Sequence, residues 1–454
     1  MGAPNAHARK WILVAVALGV LVLGALSLAY FRYLAPALRA DSDVRQAIKR
    51  IAASGAPVKV TQLAKPRVAD AENAALVYEK AFAATRFTEK DRRFAADVAS
   101  GKSSLSDPSV ARRAEAILTN NAESIQLIRR AAAMPRCDFE VDWSKGFEVA
   151  FPHLAKLRNC SNLLALESMM LARRGRVDRA IETCRENLHL TKAADEPVVI
   201  GVFVQYAIVA ITCRSLNAVL REAQPSVSVC RLSAGDMART DLMTPFITAL
   251  KGERAAGISL FEQVRTSPDP ANEIRELTGE PHKRAPDSGS AGGGSIVRWW
   301  FASDELTYLE LMDRAIEEAP LPYRKVVNVH PSVEESVEHL PSYPPHILTM
   351  ILMSAFGHPQ KARDGAIARR DLAEVALLLK AYRAEHGGYP QSLQQLGGIN
   401  DHPLPTDPFS GKPFVYRREG AGFLIYSWGS NLKDDGGKVG KTQDEGDIVM
   451  RCGR

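Results

Sequence analysis

A run of residues near the start of the chain carries no charge and constrains the fold more than any other feature. It reads WILVAVALGVLVLGALSLAYF over residues 11–31, and Ser27 is its main polar interruption. At about 1.5 Å per residue, one helix of this length spans a hydrocarbon core of roughly 30 Å. The helix satisfies its own backbone groups, as lipid requires. The run therefore predicts a single transmembrane helix that anchors the chain.

A cleaved signal peptide is the alternative interpretation, because SLA at residues 27–29 has the small residues of a cleavage site. The run is longer than the apolar part of a usual signal peptide, about 7–15 residues, which favours an uncleaved anchor. Orientation has two possible answers. Cations after the run (Arg32, Arg39, Arg45, Lys49, Arg50) outnumber those before it (Arg9, Lys10). Taken alone, this count would leave the body in the cytoplasm, although large domains translocate largely regardless of charge.

Composition bounds the function classes. With 454 residues, 46% hydrophobic and 24% charged, the chain has ordinary globular usage and room for two or three domains. The net charge of +6 is spread along the sequence, with no basic run interleaved with aromatics. We therefore expect no nucleic-acid partner.

None of the six cysteines forms a CxxC pair, so a zinc finger or a thioredoxin-like motif is not expected. Some of them could form disulfides in an oxidising compartment. Cys184 and Cys213 lie in apolar patterns typical of helices, and we predict that they are buried as small hydrophobic residues.

Residues 40–358 have the pattern of an α-helical body. LARRGRVDRAIETCRENLHL, residues 171–190, resembles one tetratricopeptide unit, with Gly175 at the turn and Ala180 where the helices approach. No second copy follows at a fixed period, so we predict a helical hairpin and not a repeat array. Residues 197–213 are apolar on all sides. A second membrane span is possible, but the short run and Gln205 favour a helix buried in the body.

The remaining sequence completes the predicted organisation. APDSGSAGGGS, residues 285–295, has the composition of a flexible loop. From residue 362 a long helix is predicted, with an apolar stripe, and Gly387 and Pro390 end it. Strand-like pieces follow at residues 413–418 and 422–429. We expect a mainly α fold with a small α+β domain at the C-terminus: an anchor at 1–39, a helical-hairpin body at 40–358, and a long helix with a small antiparallel sheet at 359–454.

The last 90 or so residues resemble the C-terminal part of the major pseudopilins of type II secretion. The matching positions are Tyr382, His386, Gly387, Tyr389, Pro390, Leu404, Pro405, Asp407, Pro408, Gly411, Pro413, Tyr416, Tyr426, Ser427 and Gly429, followed by DEGD at residues 444–447. The resemblance implies a long helix packed on a small antiparallel sheet, and a loop after the last strands that binds calcium. It also implies that Asn431, Asp444 and Glu445 match the ligand-bearing positions, with Asp447 close by.

The residue types of this C-terminal loop also favour a calcium site. The loop SNLKDDGGKVGKTQDEGD gathers oxygen-bearing side chains, and calcium takes six to eight hard oxygen ligands from flexible loops. Asp434 and Asp435 lie in an insertion relative to the pseudopilins. A solvated acidic loop without a metal is the alternative. Modest calcium sites need roughly 0.1–1 mM free ion, which the cytoplasm does not offer. We therefore expect a single-pass protein of the cytoplasmic membrane with an extracytoplasmic body.

Two further comparisons qualify the resemblance. Pseudopilins begin with a short leader and a processing site, and residues 2–20 have neither the processing glycine followed by Phe nor the nearby Glu. Filament assembly by the usual route is therefore not expected. The whole layout is similar to membrane-anchored proteins of planctomycete-like bacteria, in which ENAAxxYxKA (residues 72–81) and HGxYP…DPFxGxPxxY (residues 386–416) occur together. This second resemblance implies no activity.

Catalytic motifs are absent from the sequence, including HExxH, GxSxG and the phosphate-binding P-loop. His330, His339 and His346 lie among glutamates in a proline-rich connector, where exposed polar residues are a better interpretation than a metal cluster. His153 and Cys160 could be written as a base and a nucleophile, but their spacing favours core packing. We expect a non-catalytic envelope protein with protein partners. An accessory of a type II secretion or type IV pilus-like system and an extracytoplasmic hydrolase are the alternatives.

Overall fold

The computed structural model describes residues 18–24, 27, 35–278, 294–341, 346–354, 359–397, 402–440, 442 and 445–453. The chain is mainly helical and has a small three-stranded antiparallel sheet near its C-terminus, as the sequence predicts. Of the predicted flexible loop at 285–295, residues 285–293 lie outside the described residues, and the last two positions, Gly294 and Ser295, are instead the first residues of a helix.

The helices fall in two groups along the chain. The first group precedes residue 240: α1 Ala35–Ala53, α2 Ala74–Ala84, α3 Glu89–Ser100, α4 Pro108–Asn120, α5 Ala122–Ala132, α6 Pro152–Arg173, α7 Val177–His189, α8 Val199–Glu222 and α9 Val227–Arg239. The second follows: α10 Thr244–Thr266, α11 Pro270–Thr278, α12 Gly294–Glu318, α13 Tyr323–Val326, α14 Val333–Glu338, α15 Ile347–Ser354 and α16 Pro359–His386. Single 3₁₀ turns occur at Val60–Leu63, Asp70–Glu72, Trp143–Glu148, Leu190–Lys192 and Leu393–Leu396.

The predicted anchor is described only in part. Residues 18–24 and Ser27 are helical and exposed, and the rest of the run at 11–31 lies outside the described residues. Of the described helices, α8 alone is long and apolar enough to cross a membrane, and most of its apolar window is buried in the protein. The helix α8 packs on α6, α7 and α16, which agrees with the predicted buried helix at 197–213.

The predicted helical hairpin is formed by α6 and α7. Gly175 joins them with φ +76°, a left-handed conformation that costs glycine little. The Arg176 N–H donates to the carbonyl of Leu171, which caps the end of α6. Ala180 is fully buried where the two helices approach, as expected from its small side chain.

The two largest clusters of buried apolar side chains that lie wholly within the body come from different helices. One is built from α2 to α6, the turn after α7 and Ile208 in the middle of α8, and it includes Ile128, Leu157 and Leu163. The other joins α1, the end of α10, α12 and α15, around Phe261 and Met312. These clusters fix the body as packed layers of helices.

A third apolar cluster runs from the body into the C-terminal region. It contains residues of α7, α8 and α9 together with α16 and the sheet. Every residue of α16 from Leu372 to Ala381 is buried, which is more than the predicted apolar stripe. The predicted domain boundary between residues 358 and 359 lies immediately before α16. Because α16 packs on helices of the body, one core continues across this boundary.

A buried ion pair also crosses this boundary. The Arg363 guanidinium is completely buried and contacts Asp364 at 2.6 Å. It also donates to the carbonyls of Ala319 and Leu321, beyond the end of α12. Asp364 in turn accepts the Tyr323 N–H at 2.6 Å. These contacts fix the start of α16 against the connection between α12 and α13.

The sheet has the order β1-β2-β3, with strands Val415–Glu419, Gly422–Ser427 and Ile448–Cys452. All pairs are antiparallel, and Ile425 at the centre of β2 pairs with Tyr416 and Met450. The strand β2 is buried along its whole length because the sheet packs on α16, and β3 also contacts α8. Residues 428–447, which connect β2 to β3, carry the predicted site.

Candidate functional site

The acidic loop, defined here as residues 428–447, is closed by Asp447. This carboxylate is buried and accepts the N–H groups of Gly437 at 2.7 Å and Asp435 at 3.3 Å. The Asp447 N–H donates to the Lys438 carbonyl at 2.8 Å. Val439 and Gly446 form an isolated antiparallel bridge. Asp447 therefore holds the two halves of the loop together.

Gly437 is required for this closure. Its φ is +82°, and a Cβ atom there would lie 2.6 Å from Cδ2 of Leu424. A larger residue would strain the backbone and displace the N–H that Asp447 accepts. The backbone geometry of the loop therefore explains why Gly437, the second glycine of the pair GG, is a glycine.

Three further polar side chains of the loop bond to one another, to Tyr426 or to the loop backbone. Asn431 donates its amide N–H to Asp435 at 2.7 Å, and its Oδ1 accepts the Lys433 N–H at 3.1 Å. Asp434 accepts the hydroxyl of Tyr426 at 2.8 Å and the Gly436 N–H at 3.0 Å. The loop therefore gathers Asn431, Asp434, Asp435 and Asp447.

The negative charges of Asp434, Asp435 and Asp447 change the pKa values of the titratable groups in the loop. Burial raises the pKa of Asp447, and the nearby carboxylates of Asp435 and Asp434 raise it further against the backbone hydrogen bonds. Burial and the bond to Asp434 raise the pKa of Tyr426 to about 12, so its hydroxyl is a donor at neutral pH. Like charges held this close favour a counter-cation.

The predicted ligand residues have different places in this arrangement. Asn431 and Asp447 belong to the group around the loop, and Asp444 lies outside the described residues. Glu445 is exposed, and no hydrogen bond or ion pair joins its side chain to the group in the described part of the loop. Asp434 and Asp435, which the resemblance placed in an insertion, lie near enough to Asp447 to raise its pKa.

The donor set suits calcium by its chemistry, because it consists of hard carboxylate and amide oxygens. The same oxygens already accept loop N–H groups. Among the described residues, no three His, Cys, Asp or Glu side chains form a group that would hold a metal ion. Calcium at Asn431, Asp444, Glu445 and Asp447 therefore stays a prediction.

The other histidines considered from the sequence do not converge. His330 pairs with Glu335 at 3.1 Å, and His339 contacts the Glu335 carbonyl. His346 is buried 3.8 Å from Asp304 on α12. Each has a local structural contact, and no shared centre follows from these positions.

His153 and Cys160 are not arranged as a base and a nucleophile. His153 lies 3.3 Å from Glu196 and stacks on Phe139 with ring centroids 4.1 Å apart. Burial raises the pKa of the Cys160 thiol to about 12, so it is protonated at neutral pH. The six cysteines are all free, and Cys184 and Cys213 are buried as predicted.

A cavity of about 610 Å³ in the body brings other titratable groups together, including Cys137, His189 and Asp236. Burial raises the pKa of Cys137 to about 12. Although burial opposes it, hydrogen bonds from His189, Arg185 and Arg239 hold the pKa of Asp236 well below its usual range. The Cys137 thiol is therefore protonated at neutral pH, and the Asp236 carboxylate is already engaged in hydrogen bonds.

A comparison of the chain with family models, curated proteins and solved structures found no match.

Proposed function

We propose that this chain is a membrane-anchored, non-catalytic envelope protein whose helical body binds protein partners and whose C-terminal loop binds calcium. The observation that carries the proposal is the exposed apolar helix at residues 18–24. Leu18, Val20, Leu21 and Leu23 are each more than 60% exposed. Apolar surface of this kind costs about 25 cal/mol per Å² in water, and lipid removes that cost. The proposed span is the run at residues 11–31.

Membrane extraction tests the anchor. The full chain, expressed in a bacterium, is expected to stay in the membrane fraction after an alkaline wash. Leu21→Arg together with Leu23→Arg places two charges in the span, each costing roughly 3 kcal/mol, and is expected to move the protein into the soluble fraction. Leu76→Arg with Leu232→Arg is the matched control, because both leucines are exposed elsewhere. Equal extraction of both variants would contradict the anchor.

The proposed location of the helical body is outside the cytoplasm. One membrane span attaches the body to the cytoplasmic membrane. This location is supported by the proposed calcium site, because a weak calcium site is filled only where the free calcium concentration is high. Protease added to spheroplasts is expected to degrade the body, and lysis is expected to make no difference. A body protected until lysis would place it in the cytoplasm.

Thermal unfolding of the full chain tests calcium independently of the anchor. Calcium at about 1 mM is expected to raise the midpoint over that in chelator, because an ion that binds only the folded state stabilises it. Asp434→Asn with Asp435→Asn is expected to abolish the shift, whereas the exposed Asp142→Asn retains it. An unchanged midpoint in the unaltered chain would remove calcium and leave the anchor standing. The secretion accessory and the hydrolase stay predictions.

A further inference from the structure

A groove separates the C-terminal sheet from the helical body. One wall consists of Ala99 and Ser100 at the end of α3 and of the exposed face of α8. The other consists of β1, β3 and residues 436–439 of the acidic loop. The cavity measures about 760 Å³, within the range of small-molecule sites. A hydrogen bond from the Arg451 N–H to Oδ1 of Asn217 joins the two walls of the groove.

The residues that line this groove carry positive charge and no carboxylate. Its five cations come from four separate elements, α8, β1, the acidic loop and β3: Arg214, Arg221, Arg417, Lys438 and Arg451. Glu419 lies beside the groove and pairs with Arg417 at 3.1 Å and with Arg451 at 3.0 Å. Arg214, Arg221 and Lys438 have no ion pair within the described part of the chain. The groove therefore carries more positive charge than the single carboxylate of Glu419 neutralises.

A second lobe of about 600 Å³ continues the groove and shares Ser100, Arg214 and Asn217 with it. Its charges are mixed, since Asp97, Glu445 and Asp447 line it together with Lys102 and Arg369. An anionic group is thus directed to the first lobe, where cations face it from both walls. Guanidinium groups bind phosphate and carboxylate oxygens through paired N–H donors.

We propose that the basic end of this groove binds a small oxyanion carrying at least two negative charges, of the phosphate or carboxylate class. Arg214 and Arg221 contact it from α8, while Lys438, Arg417 and Arg451 contact it from the loop and the sheet. Asn217 provides a neutral donor through its amide group. The ligand bridges the body and the C-terminal region across the groove. The site is proposed to bind the anion without calcium, because none of its five cations forms an ion pair with Asp434, Asp435 or Asp447 within the described part of the chain.

Binding of pyrophosphate and of citrate to the full chain in detergent tests this site. Isothermal titration at about 0.1 M NaCl, in a buffer freed of divalent ions by a solid chelating resin, is expected to give saturable binding of one or both anions. Binding of pyrophosphate alone assigns the phosphate class, and binding of citrate alone assigns the carboxylate class. Affinity is expected to fall as NaCl is raised, because salt screens exposed charges. Absence of saturable binding for both anions would overturn the proposal.

The variant Arg214→Gln with Arg221→Gln is expected to weaken binding about tenfold or more, because it removes two cations that have no other partner. Both residues are exposed, so the variant keeps the fold, and its melting midpoint checks this. The matched control is Arg112→Gln with Arg130→Gln, two exposed arginines outside the groove. It removes the same charge and is expected to change affinity less than twofold. Equal losses in both variants would assign the binding to net charge and overturn the site.

Discussion

At the scale of single residues, Asp407 organises the turn before the sheet. Its carboxylate is buried and accepts four donors: the N–H groups of Phe409 and Ser410 at 3.1 Å, the Ser427 hydroxyl at 2.6 Å and the Trp428 N–H at 3.3 Å. Asp407→Ala leaves these buried donors unsatisfied. We expect a loss of about 2–4 kcal/mol in the free energy of unfolding, measured by urea denaturation.

The control for Asp407 is Asp70→Ala, since Asp70 is exposed and its side chain makes no hydrogen bond within the described residues. The expected change is below about 0.5 kcal/mol. A similar small change for Asp407→Ala would mean that water replaces the carboxylate at little cost.

Glu305 on α12 gives a prediction about pH. Burial raises its pKa to about 7, although Arg265 lies 3.1 Å away and opposes the shift. In the unfolded chain the pKa is about 4.3. The folded state therefore keeps a proton that the unfolded state loses, and the stability from this group is present below about pH 4 and lost as pH rises through 7.

Glu305→Gln fixes the neutral form at every pH. We expect the variant and the parent to have similar unfolding free energies at pH 4.5, and the variant to be more stable at pH 8, on the order of 2 kcal/mol. Urea denaturation at a series of pH values measures the difference. Glu317→Gln, at an exposed position of the same helix, is expected to leave the pH profile unchanged. Parallel profiles for Glu305→Gln and the parent would show that Glu305 does not titrate there.

At the scale of elements, the close crossing of α10 and α12 depends on Gly257. A Cβ atom at this position would lie 2.3 Å from the ring of Tyr308. The Tyr308 hydroxyl donates to the Glu253 carbonyl at 2.8 Å, so the ring cannot withdraw without breaking that bond. Gly257→Ala is expected to lower the free energy of unfolding by about 1–3 kcal/mol despite the better helix propensity of alanine.

Gly235 on α9 provides the matched control. A Cβ atom there meets only the end of the flexible Arg239 side chain, at 3.0 Å. Gly235→Ala is therefore expected to be neutral or to stabilise by up to about 1 kcal/mol. If both substitutions change stability by the same amount, helix propensity and not the crossing decides the effect at Gly257.

Helices and strands follow local rules, and the sequence predicts the helical hairpin, the long helix and two of the three strands, but not β3. Gly175 and Gly387 mark helix ends, and the strand-like pieces become β1 and β2. The burial of α16 is different. Asp371, Glu374 and Lys380 suggest a solvated face, yet all three are buried. Lys380 donates to the Ala223 carbonyl and Glu374 contacts His402, which are partners distant in sequence that no periodicity reveals.

At the scale of the whole molecule, the candidate site shows the same limit. The sequence places oxygen-bearing residues in one loop, because they are consecutive along the chain. It does not reveal that Asp434 and Asp435 come near enough to Asp447 to raise its pKa, since the loop folds back at Gly437. The basic groove is also hidden, because its cations come from α8, β1, β3 and the loop. Single arginines at those positions have the pattern of ordinary solvated charges.

The shared core predicts how the chain responds to cutting. The buried segment of α16, with Leu372 and Leu379, packs on α8 and α9, and Arg363 binds the carbonyls that follow α12. A fragment 359–454 alone would expose this surface to water. We expect that a chain cut at a protease site inserted between residues 354 and 359 keeps both pieces together. They should elute as one species in size-exclusion chromatography and unfold in one transition, because a common core couples them.

A second cut, at a protease site inserted between residues 27 and 35, is the comparison, since the apolar helix at 18–24 is exposed and does not belong to these clusters. This cut is expected to release the body from the membrane fraction with little change in its melting midpoint. Elution of 359–454 as a separate folded species after the first cut would mean that the contacts of α16 with α8 and α9 add little to stability. The C-terminal region would then be an autonomous unit, as the predicted boundary between residues 358 and 359 implies.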